Sequence, residues 1–223
     1  MGLRFTTRAS DSAWIDTVWT CAAERVTEMT SVATACWGLV FWEQDGRSFA
    51  GVTGPETRSG VAPVPEGASF VGVEFAVGTS LRTVPMARLV DSGLELPGFE
   101  LAGCRFEVPG ADDVEALVAR LVREGVIVRD PVVGPVSQRT VERRFRAATG
   151  LTQGAVRQIL RAREAATLLA GGVPAGDVVM RTGYFDEPHL ARALQRYVGR
   201  TAGQLREGAG GAIALDLDQL VTS

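Results

Sequence analysis

The chain changes its hydrophobic period once. Through residue 110 the apolar side chains cluster in short runs or alternate with polar and small ones. From Ala111 onward they recur every three to four residues. In the first part, residues 34–42 read Thr-Ala-Cys-Trp-Gly-Leu-Val-Phe-Trp, a run of aromatic and β-branched types that predicts a strand. Asp45-Gly46 follows, a pair favoured by two-residue hairpin turns, and a second strand is expected over 47–53. Gly54-Pro55-Glu56 reads as a turn. Residues 69–77 predict a further strand, with Phe70, Gly72, Glu74 and Ala76 on one face and Val71, Val73, Phe75 and Val77 on the other. A short helix is expected over 85–90 and a last strand over 101–108, while 14–19 fits a strand or a helix.

In the second part, Val114, Leu117, Val118, Leu121 and Val122 lie at helical spacing after Asp112 and Asp113, and Gly125 ends that helix. Everything from there to Glu207 reads as helical, broken by glycine and proline. Ser137 is a good N-cap and Gly150 a good stop for a helix over 138–149. Its apolar stripe is Val141, Phe145 and Ala148. Arg139, Glu142, Arg143 and Arg146 lie off that stripe. Residues 153–170 predict one long helix, roughly 25 Å at 1.5 Å per residue, ended by Gly171-Gly172. Residues 173–199 then give a short helix, a turn at Gly183, an Asp186 cap with Pro188 in the first turn, and a second basic helix. Helix, glycine turn and capped helix form the helix-turn-helix pattern. A rigid helix between two basic helices can set both in successive major grooves, about 34 Å apart. The expected fold is therefore α+β. A β-rich, sandwich- or barrel-like domain spans 1–110, an all-α double helix-turn-helix domain spans 111–207, and a tail with a linker-like Gly208-Ala209-Gly210-Gly211 spans 208–223.

Charge sharpens this division. Residues 137–207 hold 12 arginines and 6 acids, whereas residues 1–136 hold 11 arginines and 18 acids, within a net charge of -3. Only the C-terminal part is suited to a polyanion. No stretch approaches the roughly 18 apolar residues of a membrane span, and the N-terminus lacks a secretory apolar core, so no membrane partner is expected and the expected location is cytoplasmic. Cys21, Cys36 and Cys104 are odd in number and widely spaced, which is no disulfide framework, and His189 is the sole histidine. No metal, cofactor or catalytic residue is expected. A cupin-type metalloenzyme would need two or three histidines in a β region that has none, and a DNA-repair regulator with a reactive cysteine lacks a metal-ligand cluster.

The residues from 136 to about 206 resemble the AraC/XylS family of transcription regulators. The motifs are Ser137-x-Arg139-Thr140-x-x-Arg143-x-Phe145, Thr149-Gly150-Leu151 and Arg161-x-Arg163-x-Ala165-x-x-Leu168-Leu169. They continue with Asp177-Val178, Gly183-Tyr184, His189-Leu190-x-Arg192-x-Leu194 and Gly199-x-Thr201. Gly54-Pro55-Glu56-Thr57 and Gly72-Val73-x-Phe75-x-x-Gly78 resemble the β-rich N-terminal domain of one subtype. Arg123-Glu124-Gly125-x-x-x-Arg129-Asp130-Pro131-Val132-Val133 resembles its interdomain segment.

The resemblance implies double-stranded DNA as partner and no enzyme activity. It implies base contacts from Arg139, Glu142 and Arg143 in the first recognition helix and from Glu187, His189 and Arg192 in the second. Arg144, Arg146, Arg157, Arg161, Arg196 and Arg200 are the phosphate candidates. It also implies a small-molecule effector or a homodimer contact in the β domain, and RNA polymerase as a partner if the protein activates. Trp14, Trp19, Trp37, Phe41, Trp42, Arg58 and Glu74 are the effector-pocket candidates, against the alternative that the aromatics fill a small β core. The chain departs from the family at three places. Only residues 130–136, with two prolines and a glycine, stand where a full first positioning helix is usual. Val179 replaces a small alanine, and Ala202 a proline. An interaction module with a degenerate helix-turn-helix is the alternative those departures leave open.

Overall fold

The computed structural model describes residues 3–23, 28–129, 137–211 and 213–215. Its N-terminal part is built on one six-stranded antiparallel sheet in the order β1 (Leu3–Arg8), β2 (Ile15–Ala23), β7 (Ser69–Phe75), β4 (Gly38–Gln44), β5 (Arg47–Thr53), β9 (Gly93–Glu95). Three two-stranded ribbons surround it: β3 (Glu28–Ser31) with β6 (Gly60–Pro63), β8 (Thr79–Leu81) with β12 (Ile127–Arg129), and β10 (Glu100–Leu101) with β11 (Cys104–Arg105). The ambiguous stretch 14–19 is strand, as part of β2. The β4–β5 hairpin turns at Asp45 and Gly46, both with positive φ (50° and 70°), the conformation that lets a two-residue turn match strand twist.

Register decides which residues the sheet buries. Val18, Val73, Leu39 and Val52 are paired in one row across four strands and form one face. With Phe41 and Phe75 they make the first core. The neighbouring row, Trp19, Gly72, Val40 and Gly51, lies on the opposite face. There the Trp19 ring lies where a Gly72 side chain would stand, and an added Cβ would come 2.0 Å from it.

The helix expected after Ala111 is present as α1 (Val114–Arg123). Its buried face, Val114, Leu117, Val118 and Leu121, joins the core of the sheet. Arg8 of β1 holds it from the edge, pairing with Glu115 and donating to the Ala111 carbonyl at 2.7 Å. Residues 127–129, expected to be helical, form β12 instead. Gly125 (φ 67°) reverses the chain, and the apolar run Val126-Ile127-Val128 pairs with β8 through Ile127 and Leu81. The strand expected over 101–108 shrinks to the small β10–β11 ribbon, turned by Ala102 and Gly103 at positive φ. The helix expected over 85–90 is one 3-10 turn, Met86–Arg88.

The remaining helices are α2 (Gln138–Thr149), α3 (Gln153–Ala170), α4 (Ala175–Thr182), α5 (Glu187–Tyr197) and α6 (Ala202–Glu207). They surround α3, whose Ala162, Ala165 and Ala166 are fully buried and let its neighbours approach closely. Val32, Ala33 and Ala35 of the N-terminal part belong to this second core. The end of the described chain also returns to that region. Ile213 bridges Thr30 in parallel, and Leu215 is buried. No helix among the described residues is long and apolar enough to cross a membrane.

The placement of α1 is testable through Leu121, which has no exposed surface. Leu121→Ala is expected to lower the stability of the β-rich part by about 2–5 kcal/mol, measured by urea unfolding followed through tryptophan fluorescence.

Candidate nucleic-acid interface

Each recognition helix starts on a side-chain cap. Ser137 Oγ accepts from the Thr140 N–H at the start of α2. Asp186 accepts from the His189 N–H at 2.7 Å at the start of α5. Gly150 and Gly183, both left-handed, end the helices α2 and α4. The caps aim the helices by satisfying N–H groups that have no partner within the helix.

On α2, Arg139, Glu142, Arg143 and Arg146 are exposed, while Val141, Phe145 and Ala148 are half-buried. Glu142 accepts from Gln138 at 3.0 Å. With Gln153, Gly154 and Arg157 at the start of α3, these four exposed residues line an open groove of about 520 Å³. Four arginines against one carboxylate make it positive. The abridged segment 130–136 lies outside the described residues. The described support of α2 comes from the N-terminal part. Gly150 sits against Val90 and the Met86 carbonyl, where an added Cβ would come within 2.7 and 2.9 Å.

On α5, Glu187 and Arg192 are exposed and His189 is half-buried, its ring edge-on to Tyr184 at 5.1 Å. The two unusual residues nearby are accommodated. Val179 is buried in the helical core. Ala202 opens α6 behind Thr201, whose side chain exchanges capping bonds with Gln204.

The phosphate candidates divide. Arg146, Arg157 and Arg196 are exposed and Arg144 is half-buried. Arg161 lies over the Tyr184 ring, 4.2 Å from its centroid, and donates to the Gly183 carbonyl at 3.3 Å. Arg200 differs from the others. Only 8% exposed, it donates to the Gly199 and Gly210 carbonyls, because the chain doubles back after Gly208 and closes over it. In this arrangement it fastens the tail.

A feature that sequence reasoning missed lies at the other end of α5. The last carbonyls of a helix have no partner within it. Here the N-terminal part supplies the donors. The Ala33 N–H donates to Tyr197 O and the Ser59 N–H to Arg196 O, both at 2.8 Å, and Ser59 Oγ lies 3.3 Å from the carbonyls of Gln195 and Arg196. Arg163 of α3 returns a bond to Ala33 O at 3.3 Å. Pairs so distant in sequence leave no periodic signal.

The effector-pocket candidates are not gathered around one cavity among the described residues. Trp37 and Phe41 are in the core, with Trp37 stacked on Phe75 and bonded through Nε1 to the Thr79 carbonyl and hydroxyl. Trp19 stacks on Phe5, and Trp42 on Phe49 and Phe70, on the opposite sheet face. Trp14 lies under Arg129, and Arg58 is exposed. The reason is strand alternation, which sends neighbouring aromatics to opposite faces. Glu74 stands with Asp16 and Cys36, their ligand-type atoms within 4.8 Å. Burial, then Glu74 and Asp16, push the Cys36 thiol far up, which keeps it a neutral, poor ligand. A groove of about 670 Å³ that the sequence did not suggest runs between β11 and α1, with Phe106, Val108 and Leu117 as its apolar wall and Arg105, Arg120 and Arg123 as its cations.

Removing the α5 cap by Asp186→Ala is expected to cost about 1 kcal/mol of helix stability. Faster hydrogen exchange at the first turn of α5, with α3 unchanged, is the check.

A family described as a helix-turn-helix domain matches residues 135–208, about a third of the chain. No curated protein and no solved structure matches the chain. The matched segment spans α2 through α6, including both capped helices with their outward arginines. Residues 135–208 thus form a helix-turn-helix domain of the AraC type, which supports a DNA-binding transcription regulator.

Proposed function

We propose that the protein recognises a specific duplex site with α5 as its principal reader and α2 as a second, weaker one, under control of the N-terminal part. The observation that carries this reading is the state of α5. It is capped at both ends, packed on α3, and exposed at Glu187 and Arg192. A base contact discriminates only when its side chain is held in place. Arg192 can donate to guanine O6 and N7, and Glu187 can accept from cytosine N4. On α2, Arg139, Glu142 and Arg143 would meet a second major groove, with Arg146 and Arg157 on phosphates. The bonds from Ala33 and Ser59 to the end of α5 supply the route of control. An effector or a second copy that shifts the N-terminal part would shift the C-terminal end of the reader. The groove between β11 and α1 has the size of a small-molecule site.

Selection of bound duplexes from a random pool tests the reading directly; recovery of no enriched sequence would refute it. Against the selected site, Arg192→Ala is expected to cost roughly 1–3 kcal/mol and to relax one or two base pairs. Arg143→Ala is expected to cost less, and equally on all duplexes. Titrations with single-base-pair variants of the site distinguish the two, and the reverse pattern would make α2 the main reader. Affinity for any duplex should also fall steeply from low to physiological salt as counterions are released, and a flat response would remove the electrostatic basis.

A further inference from the structure

The cavity between α3 and α5 has a wall of hydrogen-bond donors. It measures about 160 Å³, below the usual range of drug-sized ligand sites, and Gln158, Arg161, Tyr184, His189, Arg192 and Arg196 line it. No carboxylate is among its lining residues. The acceptors that could offset the cations are already used. Gln158 Oε1 accepts from Tyr197 at 2.7 Å, which leaves its NH₂ as donor. His189 Nδ1 faces the Phe185 N–H at 3.5 Å, so its remaining ring nitrogen carries the proton.

Two polar groups on this wall lack the partners that buried groups normally have. Among the described residues three buried side-chain polar atoms have no hydrogen-bond partner. Two of them, Tyr184 Oη and Arg161 Nε, belong to this wall. Tyr184 is 5% exposed. Arg161 is stacked on the face of its ring and lies beside the hydroxyl, favouring its charged form, but the two do not form a well-aligned hydrogen bond. Three arginines, an amide, an imidazole N–H and an orphaned hydroxyl around so small a space match one compact anion with several acceptor oxygens.

We propose that this cavity is a phosphate seat, and that it takes a backbone phosphate diester of the bound duplex beside the second recognition helix. His189 and Arg192 on its wall belong to the half of α5 that the proposed function turns toward DNA, so the inference rests on that reading. Tyr184 and Gln158, which the sequence did not single out for contact, become binding residues. Arg161 and Arg196 act together with them in one site. The phosphate fixes the register of α5, and Arg192, exposed on the same helix, is shared between the seat and the bases.

Tyr184→Phe is the decisive variant, because it removes only the hydroxyl, which has no partner to lose in the free protein. Its melting temperature is expected to equal or exceed that of the wild type. Its dissociation constant is expected to rise about tenfold, by the same factor on the selected site and on an unrelated duplex. Arg161→Gln should in addition lower the salt slope by about one. A parallel arm compares sodium phosphate with sodium chloride at equal ionic strength, read as the melting temperature of wild type and of Tyr184→Phe. If Tyr184→Phe loses phosphate stabilisation but binds duplex as the wild type does, the seat serves free phosphate and the DNA assignment falls. Unchanged duplex affinity and unchanged phosphate response would overturn the seat altogether, and a loss confined to the selected site would make the cavity a base reader. A wild-type chain that binds no duplex would overturn the underlying reading as well.

Discussion

The two halves of the molecule depend on one constraint: the carbonyls at the end of α5 must find donors. A helix that ends inside a structure leaves carbonyl groups that solvent cannot reach. Here Ala33 and Ser59 answer two of them with backbone N–H groups at 2.8 Å. Those donors lie on the segments that follow β3 and precede β6, so the small β3–β6 ribbon is held against the recognition helix. Val32, Ala33 and Ala35 then complete the helical core, and Ile213 closes the opposite side of Thr30. Helix α5 and the β-rich part are therefore joined by main-chain bonds, which side-chain variation alters little.

The sheet works by a similar economy of faces. Its core face is aliphatic and aromatic and is closed by α1, whose four buried residues do what a second sheet would do. Its other face carries Trp19, Trp42, Phe49 and Phe70 in stacked groups over Gly72 and Gly51. The aromatic richness of the N-terminal sequence is thus divided between two roles. That division is why its members do not converge on one pocket.

Much of the DNA-binding part was legible from residue types alone. Ser137, Gly150, Gly183 and Asp186 act locally, through bonds within three or four residues and through left-handed backbone, and each stands where its chemistry places it. The outward positions of α2 and α5 follow from the 3.6-residue period. Arg200 was not legible. Its charge suits a phosphate, but a glycine-rich return of the chain buries it. On the wall between α3 and α5, Arg161, His189, Arg192 and Arg196 were legible as contacts, but Gln158, Tyr184 and the convergence of all six were hidden. They come from residues 158 to 196, and Tyr184 in sequence is indistinguishable from a core aromatic.

The sequence by itself determined the α+β order, the hairpin at Asp45-Gly46, the helices over 138–149 and 153–170, and the Gly183 turn with its Asp186 cap. All of these rest on turn and capping chemistry and on periodicity, which act over a few residues. Tertiary structure alone decided that α1 serves the sheet, that residues 127–129 pair with β8, and that Ala33 and Ser59 cap α5. Each of those outcomes satisfies a buried apolar face or an unpaired backbone group with a partner far along the chain. Such a partner is chosen by where the chain has already folded, and no local pattern encodes it.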